Sequence, residues 1–129
     1  MADNKLVILI DQLIQKTFNG ILKWEETANE GQFSVSFPKY SVIVSQKPSK
    51  DSSERNPNNL DDIVLTITNS EGETVEEVRD TDFRDTDFGG RLPYRVMLEL
   101  YNMVRRRAMG LDDAIDSILF ELNKTEINF

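Results

Sequence analysis

The residues best placed to do chemistry in this chain are four aspartates within eight positions, in Asp80-Thr81-Asp82-Phe83-Arg84-Asp85-Thr86-Asp87, followed by Phe88, Gly89, Gly90 and Arg91. Carboxylates at this density suit a hard cation. Against the calcium loop of an EF-hand, a frame from Asp80 puts Arg84 at the fifth position and Asp85 where glycine is needed. A frame from Asp85 gains Gly90 at the sixth position but ends on Val96 instead of a bidentate glutamate. Both frames fail, so no metal site is expected. The run reads as an acidic loop before a helix, where the macrodipole favours carboxylates, with Phe83 and Phe88 docking it on the core. A second option uses the same residues. Gly89-Gly90-Arg91, leading into a helix that carries Arg95, could offer N–H groups and two guanidiniums to a phosphate or carboxylate. A small-ligand or cation site in this Asp80 to Arg91 loop would then draw on Asp82, Asp87, Arg91 and Arg95. The simpler expectation is that Arg91 and Arg95 pair with Asp85 or Asp87.

Histidine and cysteine are both absent from the 129 residues, which removes the usual side chains of metal binding, thiol chemistry and proton shuttling near neutral pH. Catalysis would have to run on paired acids or on a serine and a lysine. Glu76 with Glu77 and Asp112 with Asp113 have sequence neighbours that read as exposed, whereas a general acid needs burial to raise its pKa. Ser45 with Lys47 and Ser49 with Lys50 lie in or beside a polar stretch where a lysine stays solvated. No catalytic residue and no cofactor is expected. Trp24, in Lys23-Trp24-Glu25-Glu26-Thr27, reads as an anchor of the core or its rim and is also a candidate binding contact.

The formal net charge of -8 is placed unevenly. Residues 1–60 carry seven acids and seven bases, residues 61–91 ten and three, and residues 92–129 six and five. The excess therefore concentrates in the middle of the chain. Nucleic-acid binding is not expected, because phosphate contacts need a basic stripe and the sole one here is Arg105-Arg106-Arg107, which suits a helix C-terminus. The apolar run from Leu6 to Ile10 is too short for a signal-peptide core or a membrane span, so no membrane association and a cytoplasmic location are expected.

The elements that must position these residues follow from periodicity. Leu6, Leu9, Ile10, Leu13 and Ile14 predict a helix over about residues 4–19, capped by Asp3 or Asn4 and stopped by Gly20. Val7 and Ile8 widen its apolar face, which predicts a second covered side or a dimer contact. Phe33, Val35 and Phe37, then Tyr40, Val42 and Val44, predict two strands joined at Pro38 and Lys39. Residues 47–62 predict a mobile polar loop. Ile63, Leu65 and Ile67 predict a third strand and Thr74 to Arg79 a fourth, with a bulge or a short edge strand at the broken alternation of Val75 and Val78. Pro93 opens a helix whose buried face is Met97, Leu100, Tyr101, Val104 and Ala108 and which Gly110 ends. Leu111 and Ile115 bracket Asp112 as a staple bracketing an N-cap, and Ile118, Leu119 and Leu122 continue a last short helix.

The segments Leu22-Lys23-Trp24 with Thr27, Leu100-Tyr101 with Arg105-Arg106, and Gly110-Leu111-Asp112-Asp113-Ala114-Ile115 resemble those of a group of small bacterial proteins with an LKW..T segment, a strand meander and a closing helix pair. That resemblance implies a fold and no activity. In size and acidity the chain also resembles the dimeric chaperones of bacterial secretion systems. Those carry a helix between their third and fourth strands, where residues 69–73 here read as a turn.

The expectation is a single α+β domain over residues 1–129: a four-stranded antiparallel meander with the N-terminal helix and the C-terminal helix pair packed on one face. The expected function is a non-catalytic protein-interaction module, alone or as a homodimer, whose acidic edge over residues 71–87 meets a basic protein partner. The alternatives are the Asp80 to Arg91 ligand site and a secretion-chaperone-like dimer.

Overall fold

The computed structural model describes residues 4–48, 61–83 and 88–126. In chain order the elements are α1 (Asn4–Phe18), β1 (Glu25–Glu26), β2 (Gln32–Ser36), β3 (Tyr40–Lys47), β4 (Asp62–Asn69), β5 (Thr74–Arg79), a 3-10 turn (Asp80–Phe83), α2 (Pro93–Ala108) and α3 (Leu111–Glu126). The strands form one antiparallel sheet in sequential order.

That sheet has five strands rather than the four expected. The additional strand, β1, pairs Glu25 with Ser34 and Glu26 with Phe33. Two exposed glutamates carry no alternation, so the period of two that reveals longer strands is absent here. The extra strand also renumbers the connections. The turn at residues 69–73 joins the fourth and fifth strands, whereas the third and fourth are joined by residues 48–61. Of the loop expected over residues 47–62, Lys47 belongs to β3, Asp62 to β4, and residues 49–60 lie outside the described residues.

Alternation along the remaining strands sorts the two faces. Phe33, Val35, Val42, Val44, Ile63, Leu65 and Val78 all enter the core. Val75 is the extra residue of a bulge, because Thr68 pairs with Thr74 while Ile67 pairs with Glu76. The bulge turns Val75, Glu76 and Glu77 to solvent on the edge strand and so discourages strand addition there.

The cover comes from α2, which lies across β2, β3 and β4 and buries Val96, Met97, Leu100, Tyr101 and Val104. The Tyr101 hydroxyl donates to the Gly31 carbonyl at 3.0 Å and so ties the helix to the β1–β2 loop. α1 packs beside α2 through Ile10 and Leu13. Its end is a Schellman motif: the Ile21 N–H donates to Lys16 O and the Gly20 N–H to Thr17 O, both at 3.0 Å. Gly20 holds φ at 74° there, a conformation in which a β-carbon would be strained.

The expectation that both C-terminal helices cover the sheet is half right. α3 packs on α2, but none of its described residues is buried. It is also no short helix, since its 16 residues equal those of α2. Asp112 is not its N-cap. The Gly110 carbonyl accepts from the Ala114 N–H at 2.9 Å, while Gly110 itself, at φ 65°, terminates α2. One glycine thus ends one helix and begins the next.

Candidate functional site

Four places could carry function, and the acidic run comes first. Asp80 is buried, and its Oδ1 accepts the Ile63 N–H at 2.9 Å. This carboxylate takes the place of the next strand residue opposite Ile63, so β5 can peel away without orphaning a β4 donor. Burial pushes the Asp80 carboxyl above its ordinary value, against the pull of that hydrogen bond and with help from nearby Asp62. Asp82 is exposed, and its Oδ2 accepts the Arg79 N–H at 2.8 Å, closing the 3-10 turn. Phe83 is fully buried and meets Phe88 edge-on at 5.3 Å between ring centroids. Asp85 and Asp87 lie outside the described residues. Among the described residues no three acids gather as metal ligands would.

Arg91, two residues before α2, is salt-bridged to Glu99 on that helix; Asp85 and Asp87, the partners expected for it, lie outside the described residues. Arg95 is exposed on the same helix. Gly89 and Gly90 have φ of 68° and 82°. A β-carbon on either would meet nothing within 4 Å, so the glycines answer to the turn's backbone and not to close approach of a neighbour. Beside this turn lies an open groove of about 360 Å³, lined by Val7, Ile8, Asp11, Phe88, Arg91 and Val96 among others. A ligand using Arg91 would enter here.

Trp24 lies in the core, at the sheet end nearest α1. Its Nε1–H donates to the Thr17 hydroxyl at 2.9 Å, and both residues are buried. The indole locks the sheet edge to the last turn of α1.

On the sheet face away from α2, Arg79 Nη1 reaches Asp62 Oδ2 at 2.8 Å and the Pro48 carbonyl at 3.2 Å. Lys47 Nζ stands 3.6 Å from Glu77 Oε1. The Ser45 hydroxyl is buried on this face and, among the described residues, has no hydrogen-bond partner. Ser45 and Lys47 are two apart on β3 and share this face, but the lysine is directed to Glu77. The wider acidic edge continues to Glu73, whose carboxyl Asn69 holds below its ordinary value by hydrogen bonding.

The fourth place is α3. Leu111, Ile115, Ile118, Leu119 and Leu122 are 37 to 58% exposed, on one side of a helix that a single glycine sets apart from the core. Exposure of one large apolar residue is ordinary; a contiguous stripe of five marks an interaction surface. The stripe begins where charged contacts tie α3 to its neighbours. Arg107 Nη2 donates to the Phe18 carbonyl at 2.8 Å, and Arg106 and Arg107 reach Asp112 at 3.9 and 4.0 Å. Arg107 therefore links α2 to both α1 and α3, and Arg106 links α2 to α3, rather than serving only the solvated end of α2. Between these helices Phe18, Met103, Arg106 and Asp112 line part of a groove of about 450 Å³.

Comparison with protein-family models, with curated proteins and with solved structures finds no match. The likeness to LKW..T proteins therefore rests on the residues quoted above. Among the described residues no helix is long and apolar enough to cross a membrane.

The α3 stripe and Asp80 are the two features that sequence reasoning misplaced. The spacing of Leu111, Ile115, Ile118 and Leu122 was visible, yet spacing reports amphipathicity and not what covers it. Asp80 carries no local mark of burial, because its environment comes from β4, seventeen residues earlier.

Proposed function

We propose that this protein is a protein-interaction module that presents α3. The observation that carries this reading is the exposed stripe from Leu111 to Leu122, on a helix fixed to the body by Gly110 and the Arg106, Arg107 and Asp112 bridges. Asp80, whose carboxyl burial displaces toward neutrality, is engaged in closing the sheet, which favours binding over acid–base chemistry. The acidic edge at Glu71, Glu73, Glu76 and Glu77 supplies a second surface, suited to a basic partner.

The test is a capture experiment with the full chain as bait and with an Ile118→Lys, Leu122→Lys double variant beside it. Specific binding, to another protein or to the chain itself, that disappears in the variant supports the reading. Binding that ignores the variant and responds instead to Glu76→Lys with Glu77→Lys moves the site to the sheet edge. Binding of neither kind sinks the module.

A secretion-chaperone-like dimer is the second reading. With five strands the third-to-fourth connection is residues 48–61, of which 49–60 lie outside the described residues, so the turn at residues 69–73 does not bear on that likeness. Binding of a small ligand at Arg91 is the third. A melting screen against phosphates, nucleotides and divalent cations, repeated with Asp82→Asn and Arg91→Ala, separates it from the others.

A further inference from the structure

We infer that the Asn19-Gly20 peptide at the end of α1 is a site of spontaneous deamidation whose rate is set by the helix cap. The chain has ten asparagines, and Asn19 alone precedes a glycine. In such a pair the glycine nitrogen gives up its proton and attacks the side-chain carbonyl carbon of the asparagine. A C–N bond closes a five-membered imide, and the side-chain amide leaves as ammonia. Water then adds to the imide. Opening at the former side-chain carbonyl leaves aspartate, and opening at the main-chain carbonyl leaves isoaspartate, so one water is consumed for each ammonia released. Glycine favours the attack because it has no β-carbon to shield its nitrogen and turns freely.

The fold treats the two least hindered asparagines differently. Asn69 precedes Ser70, but its side chain is held: Oδ1 accepts from the Glu71 and Glu73 N–H groups and Nδ2 donates to Glu73 Oε1, all at 3.0 Å. Asn19 and Gly20 are both exposed, and among the described residues no hydrogen bond holds the Asn19 side-chain amide. Its restraint lies in the main chain. The Gly20 N–H donates to Thr17 O and the Ile21 N–H to Lys16 O, so the attacking nitrogen stays engaged until the cap opens. Arg107 adds to the hold through the Phe18 carbonyl, one residue before Asn19. Helix ends open at little cost, so the folded chain still reacts. The products strike a junction of the fold, because Thr17 in the same turn accepts the Trp24 indole N–H and Arg107 ties this turn to α2. Aspartate adds a negative charge where the helix dipole disfavours one. Isoaspartate lengthens the main chain within the Schellman motif and spoils its paired hydrogen bonds.

Incubation of the full chain in mildly alkaline buffer, followed by peptide mapping with mass spectrometry, tests the site. Asn19 should be the first asparagine lost, as aspartate and isoaspartate together, with Asn69 intact in the folded chain and no such product from Asn19→Gln. Arg107→Ala in the folded chain should speed the loss about two- to fivefold, and unfolding in urea should speed it further. Loss at any other asparagine before Asn19 in the folded chain, or an unchanged Asn19, would overturn the site. A rate at Asn19 indifferent to both urea and Arg107→Ala would overturn control by the cap.

Discussion

Two consecutive helices of equal length, α2 and α3, have opposite fates in this molecule. Both are amphipathic and one glycine joins them. α2 buries five apolar side chains between the sheet and α1, whereas α3 leaves six large apolar side chains exposed, Phe120 among them. The difference is not in their patterns but in what each pattern meets. Trp24, Phe33, Val44 and Leu65 share one buried core with the apolar faces of α1 and α2, and no described residue of α3 belongs to it. An amphipathic helix added after a core has closed either covers its stripe with another molecule or leaves it exposed.

The widest margin is expected from truncating matched residues on the two helices. Leu100→Ala, at a fully buried site, should lose about 2–5 kcal/mol. Leu119→Ala in dilute solution should lose no more than about 0.5 kcal/mol. Urea denaturation of both variants measures this directly, and equal losses would break the contrast between the helices.

Next comes the carboxylate that lets β5 turn away from the sheet. Asp80→Ala leaves the buried Ile63 N–H without its acceptor and should cost about 1–3 kcal/mol, whereas Asp80→Asn keeps an oxygen there. Because burial raises the Asp80 carboxyl above its unfolded value of 3.8, its contribution is greatest below that value and declines as pH rises through the folded pKa. Relative to wild type, the asparagine variant should therefore gain stability as pH rises above 3.8. Melting temperatures across that range check the sign; a relative loss on raising the pH would contradict it.

A smaller effect, about 1–2 kcal/mol, is expected for Thr17→Val, which preserves volume but strands the Trp24 N–H. Fluorescence of the single tryptophan follows the same unfolding. The smallest belongs to the junction of α2 and α3. Arg107→Ala removes a hydrogen bond to Phe18 O and an exposed bridge to Asp112, and should cost under about 1 kcal/mol. Its sharper readout is hydrogen exchange at the first turn of α3, which should quicken while the α2 core stays protected.

Most of the elements could be read from the residues, and the reasons are local. Pro93 and Gly110 bracket α2, Gly20 stops α1, and the broken alternation at Val75 marks the bulge that the ladder shows. β1 escaped because two residues cannot show a period. The candidate sites were less legible. Trp24 is held by a hydroxyl seven residues earlier, Arg91 by Glu99, and Asp112 by arginines of the preceding helix. In each case the partner was decided by which turns the fold brought together.

Composition and periodicity by themselves determined the α+β class, the amphipathic helices, the acidic middle of the chain and the absence of thiol and imidazole chemistry, since these depend on residue type and on spacings within one element. Tertiary structure alone decided that Asp80 is buried, that α1 and α2 fill the sheet's apolar face, and that α3 keeps its stripe in solvent. Burial depends on how much surface remains uncovered when the other elements have packed, and no single segment of sequence contains that sum.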